Sequence, residues 1–226
     1  MKLKFGMIVT DGSGKLGGHV VAKNRGGSYA RTKVTPSNPQ TVAQAGVRSS
    51  FGGFSQSWAG LTEDQRAAWN GAVNDWGTTD IFGDLRNPSG INLYVKLNQN
   101  LANIGQASID SPPLKSGLVS PVLGTLTAGE AGNVLTLAYT GTDADQRLLI
   151  EATAPMSPGI SNAKNRFRVI TDVAGNAASP LNLSAAYVTK FGSLVEDQKL
   201  FIRVRPVKTA TGQAGPAVVT SAIIAA

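Results

Sequence analysis

Residues 9–21, VTDGSGKLGGHVV, decide which fold this chain can have. Gly12, Gly14 and Gly17 spell a G-x-G-x-x-G, and Gly14-Lys15 has the letters of a phosphate-binding loop. A dinucleotide site needs a buried strand before the glycines and a helix after them, so that the pyrophosphate meets the N–H groups of a helix N-terminus. The preceding MKLKFGMIVTD (1–11) passes as the strand. The succeeding segment, GHVVAKNRGGSYARTKV (18–34), is β-branched and punctuated by glycine, with no helical stripe and no second βαβ unit behind it. A P-loop would need glycine at position 9, which is Val9, and a hydroxyl after Lys15, which is Leu16. A kinase-type loop would want valine where His19 stands. The stretch therefore reads as a glycine turn between strands.

Working outward, residues 1–35 read as a β-ribbon arm. LKFGMIV (3–9) is one strand, and HVVAKN (19–24) and SYARTKV (28–34) form a hairpin turned by Arg25-Gly26-Gly27. Such a ribbon is marginal alone and must lean on something else. It is also where the charge lies. Lys2, Lys4, Lys15, Lys23, Arg25, Arg31, Lys33 and Arg48 stand against Asp11 alone in the first 50 residues, a balance of +7 that equals the formal charge of the whole 226-residue chain. A basic arm fits an acidic protein surface or a nucleic acid. Lys15, Lys23, Arg25, Tyr29, Arg31, Lys33 and Arg48 are the candidate partner contacts, Tyr29 forming with Arg25 and Arg31 the one local basic–aromatic cluster.

Residues 36–105 read as a helical domain of about three helices. The first opens at Asn38 as N-cap with Pro39 in the first helical position, and ends at Gly60. Val47, Phe51, Phe54 and Trp58 share one face of it. Thr62 and Gln65 form a capping box for the second helix, whose apolar side continues through Trp69, Val73 and Trp76. The third carries Leu93, Leu97, Leu101 and Ile104 in register, with Gly105 as its stop. Phe51, Phe54, Trp58, Trp69 and Trp76 are the expected helical core, and GTTDIFGDLRNPSG (77–90) is expected to be a loop. Three prolines make residues 106–121 a linker.

From residue 122 the period changes to two. Leu135, Leu137 and Tyr139 alternate in one strand, Phe167 and Val169 in another, and Leu200, Ile202 and Val204 in a third. With RLLIEATA (147–154) and PAVVTSAII (216–224) this predicts an immunoglobulin- or fibronectin-like sandwich over 122–226, with a helical turn within SPLNLSAAYVTKFG (179–192). The fold class is thus α+β in two domains: arm plus helices, then the sandwich.

Chemistry is scarce. There is no cysteine, which excludes thiolate sites, and the one histidine, His19, argues against a His-dependent triad or a multi-histidine metal site. Glu63-Asp64 are explained by a helix dipole. Asp143-Ala144-Asp145 matches a fragment of a calcium loop but lacks its glycine and glutamate, so it reads as a turn. No catalytic residue, cofactor or metal is expected. The N-terminus lacks the apolar core of an export signal and no run is long enough to span a membrane, so cytoplasmic synthesis is expected.

Residues 29–69, YARTKVTPSNPQTVAQAGVRSSFGGFSQSWAGLTEDQRAAW, carry a resemblance. The succession Arg31, Pro36, Asn38-Pro39, Thr41, Gln44, Arg48, Phe51, Trp58, Leu61, Arg66 and Trp69 resembles an uncharacterised family of tailed-phage and prophage structural proteins. GKLGGHV (14–20), SGINLYVKLNQNL (89–101) and KLFIRVRPVKTATGQAG (199–215) fit the same pattern, whose members often end in an Ig-like region. The resemblance implies a non-enzymatic virion protein made in the host cytoplasm. On that basis the expected role is a capsid-associated auxiliary or decoration subunit that binds other virion proteins and copies of itself. A tail or connector component, or a nucleic-acid-binding virion protein, is the alternative.

Overall fold

The computed structural model describes residues 2–3, 12–35 and 37–226. In chain order these form β1 (Lys2–Leu3), β2 (Gly14–Leu16), β3 (His19–Asn24), β4 (Gly27–Thr32), α1 (Val42–Gly60) and α2 (Glu63–Ala72). After a 3₁₀ turn (Val73–Trp76) come β5 (Thr78–Thr79), β6 (Leu85–Arg86) and α3 (Gly90–Asn103). The remainder is β7 (Val122–Gly129), β8 (Val134–Thr140), β9 (Gln146–Ala152), β10 (Arg168–Ala174), β11 (Leu181–Asn182), α4 (Ser184–Phe191), β12 (Lys199–Lys208) and β13 (Val218–Ile223). The chain is an α+β protein whose strand ladders are antiparallel and whose described sheets close into no barrel. The strand expected over residues 3–9 lies outside the described residues except for Leu3, as does Pro36 of the quoted motif. Two compact units divide the chain, 1–49 with 77–87 and 50–76 with 88–226.

In the first unit the strands order as β1-β4-β3-β2. Leu16 faces His19 across the turn Gly17-Gly18, and Gly17 has φ +55, a conformation that glycine adopts without steric cost. The segment after the glycine motif is therefore strand, turn and strand, with no helix N-terminus. Arg25-Gly26 turn β3 into β4, and the Asn24 side chain accepts the Gly26 N–H at 2.8 Å. The start of α1 differs from expectation. The helix begins at Val42, with the Thr41 carbonyl accepting the Ala45 N–H at 2.9 Å and its hydroxyl accepting the Gln44 N–H at 3.3 Å. Gln40 has φ +48, which breaks helical geometry between Asn38-Pro39 and the first turn. Asn38 instead accepts a hydrogen bond from Arg48 at 2.8 Å. The expected loop at 77–90 holds the short hairpin β5–β6.

The second unit carries the buried cores. Trp69 is fully buried and Trp76, Leu61, Leu93, Tyr94 and Leu97 surround it, with Phe54, Trp58 and Val73 at the margin. Rings of Trp58 and Trp69 lie 5.5 and 5.4 Å from Tyr94, and the Trp69 indole N–H donates to the Asp110 carbonyl at 2.7 Å. Thr62 and Gln65 form the reciprocal capping box that starts α2. At the end of α3, Gly105 has φ +66, its N–H reaches Ala102 and that of Gln106 reaches Leu101, a Schellman stop.

The β-region has two sheets, β10-β9-β12-β13 and β11-β8-β7. Leu135, Leu137 and Tyr139 from one and Leu148, Ile150, Leu200, Ile202 and Val204 from the other form a single core between them. The alternation Phe167–Val169 fails. Register shifts between Val169 and Thr171, so Ile170 packs against the core and Val169 is turned out. The helical turn expected at 179–192 is a two-turn helix, α4. Its Tyr187 is buried, and burial pushes the phenol well above its usual range, so it stays a neutral donor to the Thr153 carbonyl at 2.9 Å.

Residues 106–121 lack regular structure but are tied down. Asn98 accepts the Ile109 N–H at 2.7 Å and donates to its carbonyl at 3.2 Å, while the Gln213 amide bonds both the N–H and the carbonyl of Ser116 at 3.0 and 2.7 Å. Leu101 and Ile104 of α3 pack with Leu149 and Val207 of the sheet. Gly212, with φ +67, brings the β12–β13 loop against α3: a Cβ there would lie 2.2 Å from the Leu97 carbonyl oxygen. Asn100 donates to the Gly212 carbonyl at 2.9 Å.

Candidate partner interface

The candidate contacts belong to the first unit, and register assigns most of them to faces. Directly paired residues of neighbouring strands share a face, as do alternate residues of one strand, while consecutive residues point to opposite faces. Lys15 pairs with Val20 and Val20 with Arg31; Lys2 pairs with Tyr29 and Tyr29 with Ala22. Lys2, Lys15, Tyr29 and Arg31 therefore project from one face. Lys23 projects from the other, with Leu16, His19 and Thr32. Arg25 sits in the β3–β4 turn, Lys33 follows β4 with its N–H on the Gly18 carbonyl at 2.8 Å, and Arg48 lies on α1 beside Asn38. The structure thus brings the cations into one unit but onto two faces of its sheet. Lys15, Lys23, Arg25, Arg31, Lys33 and Arg48 are exposed and Tyr29 is half-buried. Among the described residues no carboxylate lies within 4.0 Å of Lys15, Arg25, Arg31, Lys33 or Arg48.

Asp80, in the segment expected to be a loop, organises one edge of this surface. Its side chain is 2% exposed, close to Lys2 at 3.8 Å and Arg86 at 3.4 Å. It accepts the Phe82 N–H at 2.8 Å and the Asp84 N–H at 3.1 Å. Burial pushes the carboxyl up, but these two N–H groups, Lys2 and Arg86 outweigh it and hold the group below its ordinary value. The signal was the Asp-x-Phe spacing, in which a short acid bonds the backbone two residues on. Gly27 has φ +99, a backbone conformation that favours glycine, and the Arg86 guanidinium lies 3.3 Å from where a Cβ would stand.

Two properties set the unit apart. Among its described residues no apolar one is buried, whereas every buried core residue, from Leu61 onward, belongs to the second unit. Large apolar side chains stand in solvent: Leu16, Val34, Val42, Val47, Ile81 and Leu85 are each more than 60% exposed. The unit also holds nine basic residues against three acidic ones, a balance of +6 out of the chain's +7. Phe51 belongs with these exposed groups although it lies at the start of the second unit. It is 58% exposed and outside the helical core, because the cluster around Trp69 reaches back along α1 only to Phe54 and Trp58.

The other candidates have protein partners. Gly12 and Ser13 border a cleft of about 580 Å³ with Ala22 and Lys23, a strand surface that offers a phosphate no helix N-terminus. The Asp145 carboxylate meets Lys208 at 3.0 Å, and Asp143 accepts from the Gln146 amide at 3.3 Å. Among the described residues no three acidic or histidine side chains converge as a metal site, and no helix is long and apolar enough to cross a membrane. What the fold and surface define is an α+β chain with a well-cored unit and a basic, coreless one. No protein-family model matches the chain, and no curated protein matches it.

Proposed function

We propose that this chain is a non-enzymatic structural subunit of a tailed-phage virion, associated with the capsid as an auxiliary or decoration protein, whose basic N-terminal arm docks on neighbouring subunits. The observation that carries the reading is the absence of any buried apolar residue among the described part of the 1–49/77–87 unit, together with its +6 balance. A small sheet without apolar cover is marginal by itself. A neighbour that is apolar at its centre and acidic at its rim supplies both cover and counter-charge, through β2 as an edge strand and through Lys15, Arg25, Arg31, Lys33 and Arg48. Copies of the same chain and other capsid proteins are the partners in this reading.

The second part of the proposal is architectural. Residues 122–226 form an Ig- or fibronectin-like domain beside the helical one, bracing or decorating the shell. Strand order supports it: first, second and fifth strands in one sheet, and fourth, third, sixth and seventh in the other, as β7-β8-β11 and β10-β9-β12-β13. A tail or connector placement uses the same arm in the same way, and an image of the particle separates the two.

The test is assembly. The full chain is expected to self-associate or to incorporate into particles, and deletion of residues 2–35 or reversal of Lys15, Arg31 and Lys33 to Glu is expected to abolish this. A monomeric full chain whose deletion variant still enters particles refutes the mechanism. The shared face of Lys2, Lys15, Tyr29 and Arg31 also favours a second reading, nucleic-acid binding. That reading requires DNA affinity falling steeply with salt, and no mobility shift at low salt removes it.

A further inference from the structure

At one end of the sandwich, where the β9–β10 connection meets α4, lies a cleft of about 420 Å³ lined by Pro155, Met156, Asn165, Arg166, Arg168 and Phe191. We propose that this cleft binds a small ring-bearing molecule that carries an oxyanion: a carboxylate, sulfate or phosphate. The guanidinium groups of Arg166 and Arg168 hold the anion, and the ring lies against Phe191 and Met156.

The first support is charge without a partner. Arg147 is paired with Asp172 and Arg203 with Glu151, but no carboxylate among the described residues lies within 4.0 Å of Arg166 or Arg168. Between residues 153 and 195 the chain has Lys164, Arg166, Arg168 and Lys190, and its one acid, Asp172, is already taken by Arg147. Each guanidinium has donors to spare. Arg166 uses Nη1 on the Met156 sulfur at 3.1 Å, and Arg168 uses Nη1 on the carbonyls of Asn165 and Phe167 at 3.0 and 2.8 Å. The remaining N–H groups of both forks meet no acceptor among the described residues, and a fork of this kind matches the two oxygens of an oxyanion.

The second support is that the loop presenting them is fixed in advance. Lys164 has φ +45, an uncommon conformation for a non-glycine residue, and its N–H is held by the Asn162 side chain at 2.8 Å. Ala163 is buried with Met156 and Phe201. Phe167, between the two arginines, lies under the Arg203 guanidinium at 4.3 Å, and that guanidinium is locked by two bonds of 2.6 and 2.7 Å to Glu151. Ordering costs at binding are correspondingly small. The third support is the wall: Met156 is buried and the Phe191 ring is braced 5.1 Å from Tyr187. The volume lies near the low end of small-molecule sites, roughly 300–1,000 Å³, which suits one substituted ring.

The test uses the full chain and amide NMR titration with phenyl phosphate, phenyl sulfate and benzoate, alongside inorganic phosphate and benzyl alcohol. At least one charged ring probe is expected to shift the amides of residues 165–168 and Phe191 and to bind at least tenfold more tightly than inorganic phosphate or benzyl alcohol. The order among the three names the anion. Arg166→Gln and Arg168→Lys are each expected to weaken binding at least tenfold, the second because lysine keeps the charge but loses the fork. Phe191→Leu is expected to reduce the ring probe to the affinity of inorganic phosphate. Arg166 is exposed, so its variant stays folded even if Arg168→Lys does not. Absence of binding by all three charged rings at low salt, or equal binding by wild type and Arg166→Gln, overturns the proposal.

Discussion

Replacing Gly212 by alanine tests whether the β12–β13 loop is seated on α3 as the structure has it. The new Cβ would stand 2.2 Å from the Leu97 oxygen, 2.9 Å from the Leu97 carbonyl carbon and 3.0 Å from the Leu101 side chain. The first two atoms are helix backbone and cannot swing aside. The left-handed backbone at φ +67 adds roughly 1–2 kcal/mol for any L residue. Overpacking adds roughly 1–3 kcal/mol, and loss of the Asn100–Gly212 bond about 1 kcal/mol more. Together they come to about 3–6 kcal/mol. At a urea dependence of about 2–3 kcal/mol per molar, the midpoint falls by about 1–3 M. Two controls isolate the clash. Gly105 has nearly the same φ, +66, with open space at its Cβ, and Gly159 has open space and no left-handed strain. Gly105→Ala is expected to cost roughly 1–2 kcal/mol and Gly159→Ala almost nothing. The three tryptophans all precede residue 77, so fluorescence follows the helices while circular dichroism also follows the sheets. The two transitions are expected to coincide in the native protein and to separate in Gly212→Ala. If Gly212→Ala unfolds within about 0.5 kcal/mol of Gly105→Ala, the seating is wrong.

Thr62→Ala removes one half of the capping box and is expected to cost about 1 kcal/mol in urea unfolding. Phe51→Ser is expected to change stability by less than about 0.5 kcal/mol while weakening self-association by light scattering. Lost stability without lost association would place Phe51 in the core after all. Asp80 titrates below its ordinary value of 3.8 in the folded chain, so it stabilises the β5–β6 hairpin fully above that value. The contribution disappears as pH falls through the folded pKa. Amide exchange at Phe82 and Asp84 is expected to rise in Asp80→Asn at neutral pH and in the native chain only at low pH.

Local signals of high specificity were legible in the sequence. The Thr62–Gln65 box, the Gly105 stop and the inward triplets of β8 and β12 each depend on residues within a few positions of one another. Asn38-Pro39 misled because a start signal says nothing of the dihedral beyond it, and Gln40 turns left-handed before Thr41 caps the helix. Val169 misled because a bulge inverts alternation without altering composition. Phe51 has the spacing of a core residue, but spacing fixes a face and not what covers it. The candidate site was legible as charge, since the cations do gather in one unit. Their division between two sheet faces depended on pairings that charge does not encode. Asp80 and Gly212 act through partners distant in sequence or in another element, Lys2 for one and Leu97 for the other.

The strap at 106–121 has a consequence for how the molecule comes apart. A protease needs several consecutive residues of unbound, extended chain, and proline-rich stretches between folded regions ordinarily provide it. Here Ile109 and Asp110 are held by Asn98 and Trp69, and Ser116 is clasped on both sides by Gln213. Residues 33–35 and 37–41, all exposed and outside any helix or strand, offer the easier scissile bonds. Mild digestion is therefore expected to shed the basic ribbon and leave helices and sandwich as one resistant fragment. A gene fragment cut at residue 122 would instead leave Leu149, Val207 and the Gln213 amide without their covers.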